Sequence, residues 1–185
     1  LAQQAAADEV RHAEFAFGVA SGLGAAVVGP GPMRLDDVPL HTDLEAFALA
    51  LVREGCVGET MGATEAAEAA RQVSDAALRS TMEVIAADEQ RHAVLAWRTL
   101  QWVWPALSSE ARVRVMDAAR NEARSLSALM AEEPAAGLEG VGVLGSAATA
   151  ELRRDVWRTV VAPTIEALDS SLESRECSSI AALCV

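Results

Sequence analysis

The sequence predicts an all-α protein, a helical bundle. Three observations predict it. Apolar residues recur at three- and four-residue spacing through long alanine-rich stretches. No segment alternates with the two-residue period of a strand. And the heptapeptide Ala7-Asp8-Glu9-Val10-Arg11-His12-Ala13 returns at Ala87-Asp88-Glu89-Gln90-Arg91-His92-Ala93 with one change, each copy inside a helical pattern.

The first helix runs from the start to about Gly22, with an expected inner stripe of Ala2, Ala5, Glu9, His12, Ala16 and Ala20. The cluster Gly22-Leu23-Gly24 stops it. A Gly- and Pro-rich stretch follows, through Gly29-Pro30-Gly31-Pro32 to Pro39, far longer than a turn between neighbouring helices needs. The second helix opens at Thr42, with Glu45 three residues on as a capping box, and reaches about Val73. Its expected stripe is Ala48, Val52, Gly55, Cys56, Glu59, Ala63, Ala66, Ala70 and Val73, in which Glu59 is the one acid. Glu54, Glu65 and Glu68 fall on the other face and read as solvated. Ser74-Asp75 reads as a tight turn and an N-cap, so the second and third helices run antiparallel.

The third helix extends to Trp104, where Pro105 ends it. Its stripe is Leu78, Met82, Ile85, Glu89, His92, Ala96, Leu100 and Val103; one Glu and one His interrupt an apolar line. A fourth helix spans about Ser109 to Glu133, closed by Pro134. A Gly-rich loop covers 137–145. A fifth helix, about Thr149 to Leu172, should kink at Pro163. The expected organisation is a bundle over 1–104, additional helices packed on it over 105–173, and a tail over 174–185. The chain begins with Leu inside a helical pattern and reads as a fragment or processed product, with any signal peptide upstream.

Composition narrows the function. The formal charge is −12 and all fifteen Lys+Arg residues are Arg, without a basic run, which argues against nucleic acid and anionic membrane surfaces. No apolar run spans a bilayer. Three cysteines, Cys56, Cys177 and Cys184, do not make a disulfide framework; Cys56 reads as a small buried thiol. The compartment stays open, with the cytoplasm favoured over secretion.

The repeat carries the chemistry. Three residues along a helix turn through about 300°, so each Glu-x-x-His pair, Glu9/His12 and Glu89/His92, projects from one face. Charged groups in an apolar stripe are costly unless paired or bound to metal. Several carboxylates in one core would repel each other, and divalent ions resolve that repulsion. Carboxylate oxygen and imidazole nitrogen suit Fe, Mn or Zn. Glu9, His12, Glu59, Glu89 and His92 are therefore the candidate metal ligands. Asp8 and Asp88 are candidate outer partners that accept from an imidazole N–H, with Arg11 and Arg91 balancing their charge. The competing reading is a duplicated surface motif whose charges are solvated or paired with those arginines.

Asp-Glu-x-Arg-His twice, with a lone helical Glu between, resembles the ferritin-like superfamily of dinuclear carboxylate proteins, which includes rubrerythrins and bacterioferritins. The stretch Glu54-Gly55-Cys56-Val57-Gly58-Glu59-Thr60 also looks like bacterial proteins known only as having a ferritin-like domain. The resemblance covers about 1–104. It implies a four-helix bundle with one long crossover, for which 24–42 would serve, and a pair of metal ions, iron first and Mn or Zn next. The family pattern has one further Glu on a helix before the first Glu-x-x-His, and that helix is missing from this chain. Glu151 and Glu166 are weak substitutes.

By the resemblance, the expected activity is an oxidase or oxygenase reaction with oxygen or peroxide, and with a small-molecule substrate the sequence does not identify. A tyrosyl radical is excluded within this chain, which has no tyrosine, and rubredoxin-like electron input lacks its Cys-x-x-Cys pairs. The alternatives are a ferroxidase or metal-storage protein, and a structural bundle with a vestigial site. The helices after Pro105 have no chemistry of their own; they would cover the bundle or form a homodimer interface.

Overall fold

The computed structural model describes residues 1–24, 26–32, 43–128 and 138–170, and among them every regular element is helical. The contacts divide the chain into two compact units, 1–42 and 43–185. None of the described helices is long and apolar enough to cross a membrane.

In the first unit, α1 is Ala2–Leu23, and the Gly24 N–H closes its end on the Ala20 carbonyl at 2.9 Å. Its sides differ from the expected stripe. Asp8 is the buried residue of the helix, whereas Ala16, Ala20 and Glu9 are exposed. An alanine-rich helix carries a weak apolar contrast, so its phase is poorly fixed by the pattern alone. Beyond α1, the Val28 N–H donates to Ser21 Oγ at 2.8 Å, tying the chain back to the helix end. Residue 25 and residues 33–42, on which the expected crossover depends, lie outside the described residues.

In the second unit, α2 occupies 44–72 in three parts: α-helical Leu44–Leu51, a π-helical stretch Val52–Gly58, and α-helical Glu59–Gln72. Its N-cap is Asp43, whose carboxylate accepts from the Ala46 N–H at 2.8 Å. This corrects the start expected at Thr42, which lies outside the described residues. The π stretch was not anticipated. It coincides with Gly55 and Gly58, which lack side chains to stabilise a regular turn. A π turn holds an extra residue and so disturbs the regular phase of the face just after it. Met61 and Ala69 are buried, while Ala63 and Ala66, expected inside, are half-buried; Ala48, Val52, Cys56, Ala70 and Val73 are buried as the stripe expects.

The Asp75 carboxylate caps α3, Ala76–Val103, from the Ala77 and Leu78 N–H groups, as the sequence suggests. Arg79 closes the α2–α3 turn on the Val73 carbonyl at 2.8 Å. The two helices meet closely: a Cβ on Gly55 would stand 2.7 Å from the Ala96 Cβ. Along α3 the expected stripe holds, with His92, Ala96, Leu100 and Val103 buried and Leu78, Met82, Ile85 and Glu89 half-buried. A 3-10 turn, Trp104–Ala106, takes up Pro105.

The helix α4, Ser109–Ala128, buries Ala111, Val115, Ala118, Ala119 and Ala123. Its expected extension to Glu133 lies outside the described residues. Gly142 has φ +93°, in the left-handed region that side chains rarely adopt, so this loop needs glycine for its conformation. The last helix, α5, covers 146–170: α-helical Ser146–Val156, a π stretch Trp157–Val161, then helix again. The expected irregularity at Pro163 takes the form of that π stretch, just before a residue that has no N–H to donate. The tail and its two cysteines, within 171–185, are outside the described residues.

One core joins these helices. Val52 and Cys56 from α2, Leu100 from α3, Trp104, Val115 and Ala119 from α4, and Val161 from α5 are all essentially inaccessible to water. Two ion pairs pin its edges. Glu45 at the start of α2 meets Arg114 of α4, with Nη2 to Oε2 at 2.8 Å; this hydrogen bond holds the Glu45 carboxyl below its ordinary range. Glu65, expected to be solvated, is instead half-buried and takes Arg153 of α5 in two bonds of 2.6 and 3.1 Å. The sequence pattern marked Glu65 as outward because it could not show that α5 packs there.

Candidate metal centre

In the second unit, Glu59 opens the α-helical part of α2 directly after the π stretch, and Glu89 and His92 lie one turn apart on α3. The Gly55–Ala96 contact lets the two helix backbones approach one turn away from these three side chains. His92 Nδ1 stands 3.5 Å from Glu89 Oε2 and 3.7 Å from Glu59 Oε2. Each of the three offers a ligand atom within 4.8 Å of the others. His92 is buried, and Glu89 and Glu59 are partly so, with side-chain exposures of 16% and 29%.

This donor set fits a divalent metal. It contains carboxylate oxygens and an imidazole nitrogen but no thiolate, the combination taken by Fe, Mn or Zn. Ligands about 2.1 Å from one ion are separated by roughly 3.0–3.4 Å in octahedral or tetrahedral geometry. The observed 3.5 and 3.7 Å exceed those edges by only a few tenths of an ångström.

In the first unit, α1 repeats the local arrangement. His12 Nδ1 lies 3.4 Å from Glu9 Oε1, with His12 mostly buried and Glu9 at 54% side-chain exposure. Glu9 is therefore not the enclosed acid the stripe implied. The buried acid one residue earlier, Asp8, is paired with Arg11 and accepts from Gln4 Nε2 at 2.8 Å. Asp88 is buried likewise and paired with Arg91. The correspondence extends to the backbone: Arg11 donates to the Ala7 carbonyl and Arg91 to the Ala87 carbonyl, at 3.4 and 3.2 Å. The heptapeptide thus folds the same way twice, and its Asp-x-x-Arg pair neutralises each aspartate locally.

One neighbour of the cluster gave no sequence signal. Trp97 Nε1 donates to Thr60 Oγ1 at 3.1 Å, and Thr60 donates to the Cys56 carbonyl at 2.5 Å. This chain links α3 to the residue beside Glu59. The Cys56 carbonyl belongs to the π stretch, where the regular helical hydrogen bonds are displaced. A hydroxyl at Thr60 looks like any other polar helix residue until the position of Trp97 is known.

Comparison with protein-family models, with curated proteins and with solved structures finds no match for this chain. What stands is a helical protein with a Glu/His group able to hold a metal, compatible with a ferritin-like bundle.

Proposed function

We propose that this protein is a dinuclear carboxylate metalloprotein of the ferritin-like kind, which consumes oxygen or peroxide as an oxidase or oxygenase. The observation that carries the reading is the convergence of Glu59, Glu89 and His92 from two helices. In the proposal Glu9 and His12 supply the ligands of the second Glu-x-x-His pair, and Asp8 and Asp88 set charge and orientation around them. Glu59, Glu89 and His92 would hold metal together with those ligands, with iron the first choice and Mn or Zn possible by the same donors. Bound ferrous iron would supply electrons to oxygen or peroxide.

The chain's own groups have definable parts in this. Glu59 and Glu89 bring negative charge to one place, which favours a cation and opposes loss of it. The buried imidazole of His92 gives a nitrogen donor. The Asp88–Arg91 pair places a guanidinium beside the ligand helix, so the local charge is less negative than the carboxylates alone would make it. Trp97, hydrogen-bonded to Thr60 beside Glu59, brings a redox-capable ring to this part of α2.

Metal content tests the proposal. Full-length protein loaded anaerobically with ferrous iron and desalted should hold about two irons per chain, and admission of oxygen should oxidise them faster than free ferrous iron. Near-zero metal would leave a structural bundle with a vestigial site.

A further inference from the structure

A second site lies away from the Glu/His group, in an open cavity of about 850 Å³ between α4 and α5. Four arginines surround it: Arg120 and Arg124 on α4, Arg154 and Arg158 on α5. Each pair has four-residue spacing, so each projects along one face of its helix. The floor is apolar, formed by the buried Ala123 and the partly buried Trp157. We propose that this cavity binds a small organic dianion carrying a planar aromatic ring.

The charge argument comes first. The chain has 27 acidic residues against 15 basic ones, all Arg, so its general field repels anions. Four of the fifteen nevertheless face one cavity. Arg120 is paired with Asp117 and Arg158 with Asp155, each at 3.0 Å. Among the described residues, neither Arg124 nor Arg154 takes part in an ion pair. Four guanidiniums against two aspartates leave a local charge near +2, which a dianion balances. Like charges at four-residue spacing repel on each helix. A bound anion would relieve that repulsion, and Arg would engage its oxygens in charge-assisted, bidentate bonds.

Shape and surface select the rest of the ligand. A cavity of this size is that of a small-molecule site, for which about 300–1,000 Å³ is usual. An inorganic ion would leave most of it empty. Carbon surface from Ala123, from Trp157 and from the arginine stems asks for an apolar body. The indole and the guanidinium planes both favour a flat ring, by stacking and by cation–π attraction. The proposal is independent of the metal reading and needs no metal.

Calorimetric titration of the full chain with phenyl phosphate, inorganic phosphate and phenol tests it. Phenyl phosphate should bind about tenfold or more tighter than either half alone, and added salt should weaken it. Arg124→Gln combined with Arg154→Gln should weaken it by about tenfold or more, while Arg53→Gln, an equal charge change per site on exposed α2 surface, should alter it by less than about twofold. Both arginines are exposed, so their removal should leave the melting temperature unchanged. Trp157→Leu should selectively reduce the gain from the ring. Absence of phenyl phosphate binding, equal binding of inorganic phosphate, or an equal loss from Arg53→Gln would each overturn the proposal.

Discussion

Two glutamates illustrate what a single side chain decides. Glu54 and Glu89 are both helical acids, but Glu54 is exposed while Glu89 stands 3.5 Å from the buried His92. Glu89→Ala should therefore abolish metal binding, and Glu54→Ala should leave it nearly unchanged; equal losses in metal content would refute the assignment. Cys56 makes a different point. It is fully buried and free, and burial pushes its thiol well above the ordinary range. The folded protein should resist alkylation at this position until it unfolds. The same shift makes stability depend on alkaline pH. An exposed cysteine in the unfolded chain ionises near pH 8.5, while the buried thiol keeps its proton, so the stabilising difference is complete below that pH and is lost as the pH rises. Between pH 9 and 10 this should cost about 1 kcal/mol, read as a fall in urea midpoint that Cys56→Ala does not show.

At the level of elements, the path of α2 is set by glycines as much as by its apolar stripe. Gly55 allows α3 to approach until a Cβ would clash with Ala96. Gly55→Ala adds helix propensity worth about 0.5–1 kcal/mol, but overpacking a rigid contact costs about 1–3 kcal/mol. A net loss of roughly 1 kcal/mol is expected, a few degrees in melting temperature, together with weaker metal binding as Glu59 moves from Glu89 and His92. Adding Ala96→Gly should recover metal binding; failure to do so would mean the close approach does not position Glu59. The sequence made α3 legible almost completely, because a 28-residue helix with one continuous apolar line fixes its own phase. It also marked Glu59, Glu89 and His92 as unlike their neighbours. The same reasoning misplaced Glu9, Ala16 and Ala20 on α1, where alanines make nearly every face alike, and Ala63 and Ala66 on α2 just after a π turn that carries no pattern of its own, while Ala70 and Val73 beyond it are buried as expected. Glu65 was misjudged for a third reason: its partner, Arg153, is 88 residues away.

For the molecule as a whole, the informative fact is that α4 and α5 share one core with α2 and α3. Trp104, Leu107 and Val115 are buried with Val52, Cys56 and Leu100, and Val161 and Ile165 of α5 complete the same cluster. The helices after Pro105 are thus not a removable addition to residues 43–104. They close the apolar side of α2, and the Glu45–Arg114 and Glu65–Arg153 pairs join them to its start and to its second half. A chain truncated after Leu107 would leave Val52 and Cys56 facing water on that side and would strand Glu65 without its guanidinium. Exposing apolar surface costs about 25 cal/mol per Å², and a domain stable by only about 5–15 kcal/mol has little to lose. The truncated protein should accordingly lose its cooperative thermal transition, bind a hydrophobic dye and fail to retain iron. A cooperatively melting fragment that still held iron would show instead that α2 and α3 carry the metal site without the shared core.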